Sequence, residues 1–516
     1  MSKFINSKEA ITSPLLLWQE KPTQIPVKKT YDVKVWPITN IYNDGPTNFK
    51  IPPQPHGMLT SIDVVTKFCI YNDGHPMTGD MHKNLSIINN IGGAMWEMVE
   101  IRLDGRVDIM QSMKNAYAYQ SFFNICLNSE RSREDYLFEN EMFMMDEGLD
   151  KDDAENPHAM VVDLDKISRK LNKNIYDVDS ELNVYKLPGM NLSRDDGDGN
   201  MIRSTELYSY AFYLKNLMDD ASDDDDLYSP NFGKNPASGK RSMRINKGQS
   251  VTISSKLQCP LFTTSKCLPT DMKIRISLTK NSDSFLLLSE ANSKYSVIIQ
   301  DIYLNVTYYT PTEAIASEIE EQLKREPAPY FISKPEIIIK PIAYSNRIIR
   351  VNDVFHDKIP SYAFFCLQKS SDFEGKVTSS PFVFLPFGKF QIHVNGTPHF
   401  VDPLEIQYST GAYKKIYSEN GEYLRQLYKT IGKDLKGDCL INSKNFQLNF
   451  MVGVSFTGDR SNTSATYLNL QNEGSTYLEI DMGYDQGIPE DMILIIYAMF
   501  DRQIKIDVDR SITIIE

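Results

Sequence analysis

Along much of this chain apolar and polar residues alternate, the period-two pattern of strands half buried on one face of a sheet. Tyr31–Trp36 (YDVKVW) is the first such stretch, and Leu59–Tyr71 (LTSIDVVTKFCIY) is a longer one closed by the turn signal Asn72-Asp-Gly74. Met98–Leu103 stops at Asp104-Gly105, a pair suited to the positive φ of a tight hairpin. Ser250–Leu257, Met272–Thr279 and Val297–Tyr309 continue the series, rich in Val, Ile and Tyr. Further on, the same texture predicts strands over Pro335–Ala343, Ala363–Gln368, Phe382–Leu385 and Phe390–Val394, the last followed by Asn395-Gly396. Phe446–Phe456, Thr476–Met482, Met492–Phe500 and Ile504–Asp507 complete the set.

The alternation breaks in four places. Asn115–Leu127 (NAYAYQSFFNICL) is too densely apolar for a clean strand and predicts a short helix packed on a sheet. From Glu130 to about Lys247 the chain is acidic and irregular, with the run Asp219–Asp226 (DDASDDDD), and is expected to be an exposed insertion. Thr312–Lys324 (TEAIASEIEEQLK) places Ile315, Ile319 and Leu323 on one helix face behind the N-cap candidate Thr312, and Pro327 and Pro329 end it. Tyr413–Ile431 is Tyr-rich and helical in its second half.

The order repeats. Glu100–Gly105 (EIRLDG) precedes a Tyr-rich helix near Tyr117–Leu127, and Phe390–Gly396 (FQIHVNG) precedes another near Tyr413–Tyr428. Each half then closes on a pair of late strands. Short strands at regular spacing indicate a sandwich or barrel rather than a parallel sheet. The fold class expected is all-β with short helices: two tandem eight-stranded jelly-rolls, a double jelly-roll. Its expected parts are an arm over residues 1–30, a first roll over 31–311 with the insertion at about 130–247, a linker over 312–334, and a second roll over 335–516.

Composition narrows the class. A chain of 516 residues exceeds one ordinary core, which suits two domains. The 28 Tyr and 25 Phe favour strands, and 26 Gly with 26 Pro supply turns for many of them. The net charge of −13 argues against direct, sequence-specific nucleic-acid binding, which needs an excess of Lys and Arg. Cys69, Cys126, Cys259, Cys267, Cys366 and Cys439 form no CxxC and suit a reducing compartment; the nearby Cys259 and Cys267 read as small buried hydrophobes rather than a bridge. Pro14–Trp18 is too short for a signal sequence, and no window reaches the length of a membrane span. Asn84-Leu-Ser, Asn305-Val-Thr and Asn462-Thr-Ser match the glycosylation pattern by chance on this reading, and synthesis in the cytoplasm is expected.

No catalytic constellation emerges. The seven His (His56, His75, His82, His158, His356, His393 and His399) are scattered. His75 and His82 lie in a loop, and His393 and His399 flank a hairpin turn with no third ligand nearby. There is no GxSxG elbow, Walker loop or GxGxxG after a strand. Asp195–Asn200 (DDGDGN) with Glu206 at position 12 and Ile202 at position 8 imitates a calcium loop, but Gly197 at position 3 and Asn200 at position 6 break it. No catalytic, cofactor-binding or metal-binding residue is assigned, and no enzyme activity or cofactor is expected.

Several passages, taken in order, resemble one family. These are Leu17-Trp18 with Lys21-Pro-Thr-Gln24; Ile101-Arg-Leu-Asp-Gly105 followed by Asn115-Ala-Tyr-Ala-Tyr119 and Phe122-Phe123; Phe382-Val-Phe384, Phe390–Gly396 and Gly411-Ala-Tyr413; and Ile495-Ile-Tyr-Ala-Met-Phe-Asp501 with Ile504-Lys-Ile-Asp507 and Arg510. Together they are similar to the double jelly-roll major capsid protein, or hexon, of Maverick/Polinton elements and adintoviruses. The resemblance runs nearly end to end and lapses over Lys151–Lys240. It implies an adenovirus hexon-like trimer of pseudo-hexagonal outline, tiling an icosahedral shell around a double-stranded DNA genome. The implied partners are other copies of the chain, neighbouring capsomers, and penton and minor capsid proteins. The implied location is the virion, assembled in host nucleus or cytoplasm. Two alternatives stand beside it: a glycan-binding or carbohydrate-active double jelly-roll, and a minor or domesticated capsid protein.

Overall fold

The alternating stretches of the first half become strands β1 (Val27–Val35), β2 (Thr47–Ile51), β3 (Met58–Asn72), β4 (Trp96–Leu103), β5 (Val107–Gln111), β6 (Val251–Lys256), β7 (Ile274–Lys280) and β8 (Tyr295–Pro311). They build two antiparallel sheets, in the orders β1–β8–β3–β6 and β2–β7–β4–β5. The ladders 1–8, 2–7, 3–6 and 4–5 trace one long ribbon, and the contacts 8–3 and 7–4 roll it closed. This is a jelly-roll. The computed structural model describes residues 25–39, 45–77, 85–103, 107–146, 161–163, 190–192, 201–204, 236–245, 248–264, 266–289, 294–375, 380–385, 388–405, 421–432, 439–442, 445–446, 449–458, 473–482 and 491–515.

The second half repeats the scheme with β9 (Ala328–Ile342), β10 (Ile348–Asn352), β11 (Tyr362–Lys369), β12 (Lys389–Val394), β13 (Thr397–Pro398), β14 (Val452–Ser455), β15 (Thr476–Asp481) and β16 (Met492–Ile506). Its sheets run β9–β16–β11–β14 and β10–β15–β12–β13, strand for strand the order of the first. A last strand, β17 (Ile512–Ile515), adds to β16. The protein is a double jelly-roll, mostly β-sheet with few short helices. Helix α1 (Ala116–Asn128) lies between the fifth and sixth strands of the first roll, and α5 (Gly421–Thr430) holds the same place in the second. Between them along the chain come α2 (Glu134–Glu141), α3 (Pro236–Arg244) and α4 (Glu313–Arg325), the last joining β8 to β9. Inward residues follow the alternation: Ile62, Val64, Phe68 and Ile70 of β3, Val99, Ile101 and Leu103 of β4, and Ile274, Ile276 and Leu278 of β7 are all buried.

Several expectations shift. Met492–Phe500 and Ile504–Asp507 are one strand, because Asp501, the break in the apolar pattern, is buried but accepts hydrogen bonds from Ser333 Oγ (3.2 Å) and Ser361 Oγ (2.9 Å). Phe382–Leu385 is no strand; Phe384 and Leu385 make only isolated bridges, and the rings serve packing instead. Thr312 stands at the cap position of α4 but makes no side-chain cap bond. Strand β9 starts at Ala328, inside the expected linker, and carries Pro329, Pro335 and Pro341. It is the edge strand of its sheet. Proline survives in a strand where its missing N–H would face away from the neighbour, and the even spacing puts all three on that one side.

The insertion is also rooted more deeply than its composition suggests. Phe143, Met145 and Ile245 belong to the core, and Arg241 is fully buried. Arg241 pairs with Asp146 at 2.8 Å and donates to the carbonyls of Ile87 (3.2 Å) and Met144 (3.1 Å), while Ser242 Oγ donates to Leu85 O at 2.9 Å. The entry and exit of the insertion are thereby fastened to each other. Within it, Val161–Asp163, Met190–Leu192 and Met201–Ser204 form a small antiparallel sheet. The arm before Ile25, the Asp104-Gly105 turn and the acidic run Asp219–Asp226 lie outside the described residues.

Candidate functional site

Helix α1 is apolar on nearly every side, so it has to be buried all round rather than along one stripe. It achieves this by entering the seam between the two rolls. Phe122 stacks face to face on Phe382, centroids 4.5 Å apart with planes 2° from parallel. Tyr119 stacks on Phe373 (5.4 Å) and meets Phe382 edge-on (5.5 Å), while Phe123 contacts Phe384 (5.4 Å) and Tyr497 (5.3 Å). Such aromatic pairs add to the energy of simple burial. Burial holds the hydroxyls of Tyr119 and Tyr497 well above the ordinary tyrosine pKa, so both are neutral. Cys126, on the same helix, lies near Cys366 and Cys439 of the second roll, and burial pushes its thiol well up. Burial likewise raises the Cys366 thiol, so both Cys126 and Cys366 are protonated and act as small hydrophobes.

Polar bridges fix the register of this seam. Asn281 Nδ2 donates to Ala94 O (3.2 Å) and to Asn115 Oδ1 (3.0 Å), and Asn115 Nδ2 donates across the seam to Phe373 O (3.1 Å). The backbone N–H of Leu440 donates to Cys126 O at 3.1 Å. Nearby, Gly375 (φ +92°) lies so close to Phe285 that a Cβ would come within 3.0 Å of its backbone. Further along, Tyr330 OH donates to Cys267 O (2.7 Å) and Lys266 Nζ to Pro329 O (2.8 Å). Arg510, beyond β16, donates to Thr270 O (2.7 Å) and pairs with Glu320 of α4 at 2.6 Å, tying the end of the second roll to the linker helix and the first roll.

Some of the residues that carried the family resemblance meet in one place, while Ile101–Leu103 and Phe390–Val394 belong to separate sheets and Leu17–Gln24 and Gly411–Tyr413 lie outside the described residues. Tyr119, Phe122, Phe123, Phe382, Phe384 and Tyr497 all belong to the seam, and Arg510 is its outer tie. Phe373, Asn281 and Leu440 escaped sequence reasoning, since each lies in a connecting segment without periodicity. Among the described residues the histidines form no metal-holding group, and His82 and His158 lie outside them. His393 packs edge-on against Tyr477 and His399 against Phe400, each in an aromatic setting. Cys259 and Cys267 are not bonded, and burial lifts the Cys259 thiol to about 12. Among the described residues no group of three His, Cys, Asp or Glu side chains could hold a metal ion, and no helix is long and apolar enough to cross a membrane. Of the calcium-loop imitation, only residues 201–204 are described, as a strand.

The surface offers a second, repeated feature. Ile38 and Tyr344 are exposed apolar side chains, and they sit in the first connection of the first and second rolls respectively, β1–β2 and β9–β10. Each of these connections thus exposes one large apolar side chain among its described residues.

Comparison with known proteins agrees with this architecture. The Faustovirus major capsid protein superposes with a TM-score of 0.52 at 8% identity, over 95% of this chain and 92% of that one. A chain of the Sputnik virophage cryo-EM structure superposes with a TM-score of 0.50 at 11% identity, over 99% and 93%. The fold is that of the double jelly-roll major capsid proteins of giant viruses and virophages. No family model matches the sequence. An uncharacterized protein of Caenorhabditis elegans is 18% identical over 266 residues, which is 50% of this chain and 62% of that protein, so the match spans less than two thirds of that relative's length.

Proposed function

We propose that this chain is a major capsid protein whose trimers form pseudo-hexameric capsomers tiling an icosahedral shell around a double-stranded DNA genome. The observation that carries the reading is the repeated ladder: two rolls of identical strand order, locked by one aromatic seam. Three rigid pairs of rolls around a three-fold axis present six similar outer faces, and Ile38 and Tyr344 in equivalent loops give those faces matching apolar contacts. The proposal extends to a structural rather than enzymatic role, with other copies, penton and minor capsid proteins as partners in the virion. On the sequence passages that converge at the seam, its lineage is that of Maverick/Polinton elements and adintoviruses. The first roll with its acidic insertion, the linker around α4 and the second roll are its building units.

Light scattering behind size exclusion, followed by negative-stain images of the main peak, tests this directly. The expected species has three times the 59.0 kDa mass of the chain and appears as three-fold or hexagonal blocks. A stable monomer would sink the capsomer reading and favour a glycan-binding double jelly-roll.

A further inference from the structure

The outer face of the sheet β2–β7–β4–β5 carries a row of cations. In register, Lys50 of β2 stands beside Arg275 of β7, and Arg275 beside Arg102 of β4. Their strand neighbours Phe49, Ile51, Ile274, Ile276, Ile101 and Leu103 are buried, so by alternation the three charged side chains point outward, and all three are exposed. Lys273, on the same side of the chain leading into β7, is exposed too. Like charges directly opposite each other on a sheet repel. Glu100 lies 3.7 Å from Arg102, whereas Lys50 and Arg275 join no ion pair among the described residues. By register the row ends at Asp108 on the edge strand β5, so that acid stands at its margin. The corresponding sheet of the second roll is built the other way: Arg350 stands opposite Glu479, and Lys389 opposite Asp481 and Glu405. The fold itself therefore does not require a row of one sign.

We infer that this row binds the phosphate backbone of nucleic acid without reading its sequence. The inference goes beyond the capsomer reading, which supplies a genome but names no face of the chain that meets it. Two guanidinium forks and an ammonium group match phosphate oxygens. Lys50 and Arg102 are two strand spacings apart, about 10 Å, so the row meets more than one phosphate of a strand charged every 3.4 Å or so. The next outward row holds Asn48, Ser277 and Glu100, all polar, and neither row contains a large apolar side chain. A folded protein partner would call for an apolar centre, whereas nucleic-acid interfaces are polar and positive. The net charge of −13 does not oppose this, because residues 147–235 hold 20 acidic and 10 basic residues and so supply −10 of it. That insertion is rooted on Leu85 and Ile87, ahead of β4, while the row crosses β4 at Arg102, six residues beyond Trp96. Six residues of strand span about 20 Å, which separates the root of the acidic insertion from the row along the sheet.

The test uses the full-length protein and a fluorescent DNA duplex of about 20 base pairs and arbitrary sequence, with binding read by anisotropy. Three phosphate contacts predict that affinity falls about 40-fold between 50 and 200 mM salt. The variant Lys50→Gln, Arg102→Gln, Arg275→Gln should bind about tenfold more weakly or worse at the lower salt and lose most of the salt dependence. Arg102→Lys with Arg275→Lys keeps the charges and should keep most of the binding. Arg350→Gln with Lys389→Gln, on the matching sheet of the second roll, should bind as the unmodified protein does. Equal binding by the triple glutamine variant overturns the assignment, and so does an equal loss from the second-roll variant, which would mean that total charge decides. Capture by phosphatidylserine vesicles at a salt where the duplex is released assigns the row to a lipid surface instead. Displacement of the duplex by a peptide of the Asp219–Asp226 sequence, at matched charge, assigns it to the chain's own acidic run. Light scattering on the same samples reads the capsomer separately: a monomer that binds the duplex removes the capsomer alone, and a trimer that does not bind removes the row's role alone.

Discussion

Glu141 ends α2 with only 8% of its surface exposed, beside Asp63 of β3. Burial, and then the Asp63 charge, lift its pKa to about 7, against a lowering contribution from the backbone of Lys256. Asp63 is shifted the same way by its own burial. The folded state therefore holds a proton that the unfolded chain releases near pH 4.5. Between those two values the unfolded chain binds fewer protons than the folded one, so stability falls as pH rises and levels off above about 7. The whole loss is on the order of 3 kcal/mol. Melting temperatures at pH 5 and pH 8 should differ in favour of pH 5, and Glu141→Gln should remove most of that difference; an unchanged difference would assign it elsewhere. None of this was legible in the sequence, where Glu141 is one acid in an acidic stretch. The Arg241–Asp146 pair was hidden for the same reason, its partners lying on opposite sides of the long insertion.

At the scale of elements, long and regular segments were legible and short ones were not. Strands β3 and β8 carry enough alternation to be read directly, whereas β2, β10 and β13 have five residues or fewer and gave no clear period. The Asn395-Gly396 turn was legible because its chemistry is local: both residues adopt positive φ, 50° and 77°, which Asn and Gly tolerate. Helix α1 was recognised from its density of apolar residues, but its role as a wedge came only from its neighbours. Phe122→Ala should cost about 3–5 kcal/mol, the usual range for a buried ring removed from a packed core. Phe382→Ala should cost a similar amount, and the double variant less than the two together, because each single change already breaks the stack. Denaturant melts of the four proteins check this; strict additivity would mean that the stack does not couple the rolls.

For the whole molecule, the expected consequence of the capsomer reading is a division of labour between body and arm. Deleting Met1–Gln24 leaves every described strand of both rolls and every described seam contact in the chain, so trimers should persist. Shells should fail to form if the arm supplies the contacts between copies. Size exclusion of the deleted protein, with electron microscopy under assembly conditions, decides this: intact shells would refute the arm's role, and loss of trimers would place the arm within the capsomer.

The sequence by itself determined the class of structure, because periodicity and turn chemistry are local properties that survive without knowledge of partners. It showed strands, their rough order, two helices in equivalent places, and the doubling of the pattern. Only the tertiary structure decided which strands pair, how the insertion is fastened, and that α1 joins the two rolls. The reason is physical: a ladder such as β1 with β8 closes over more than 250 residues, and the stack of Phe122 on Phe382 closes over a similar span. Such contacts depend on the shape of the surfaces brought together, and no window along the chain contains both sides.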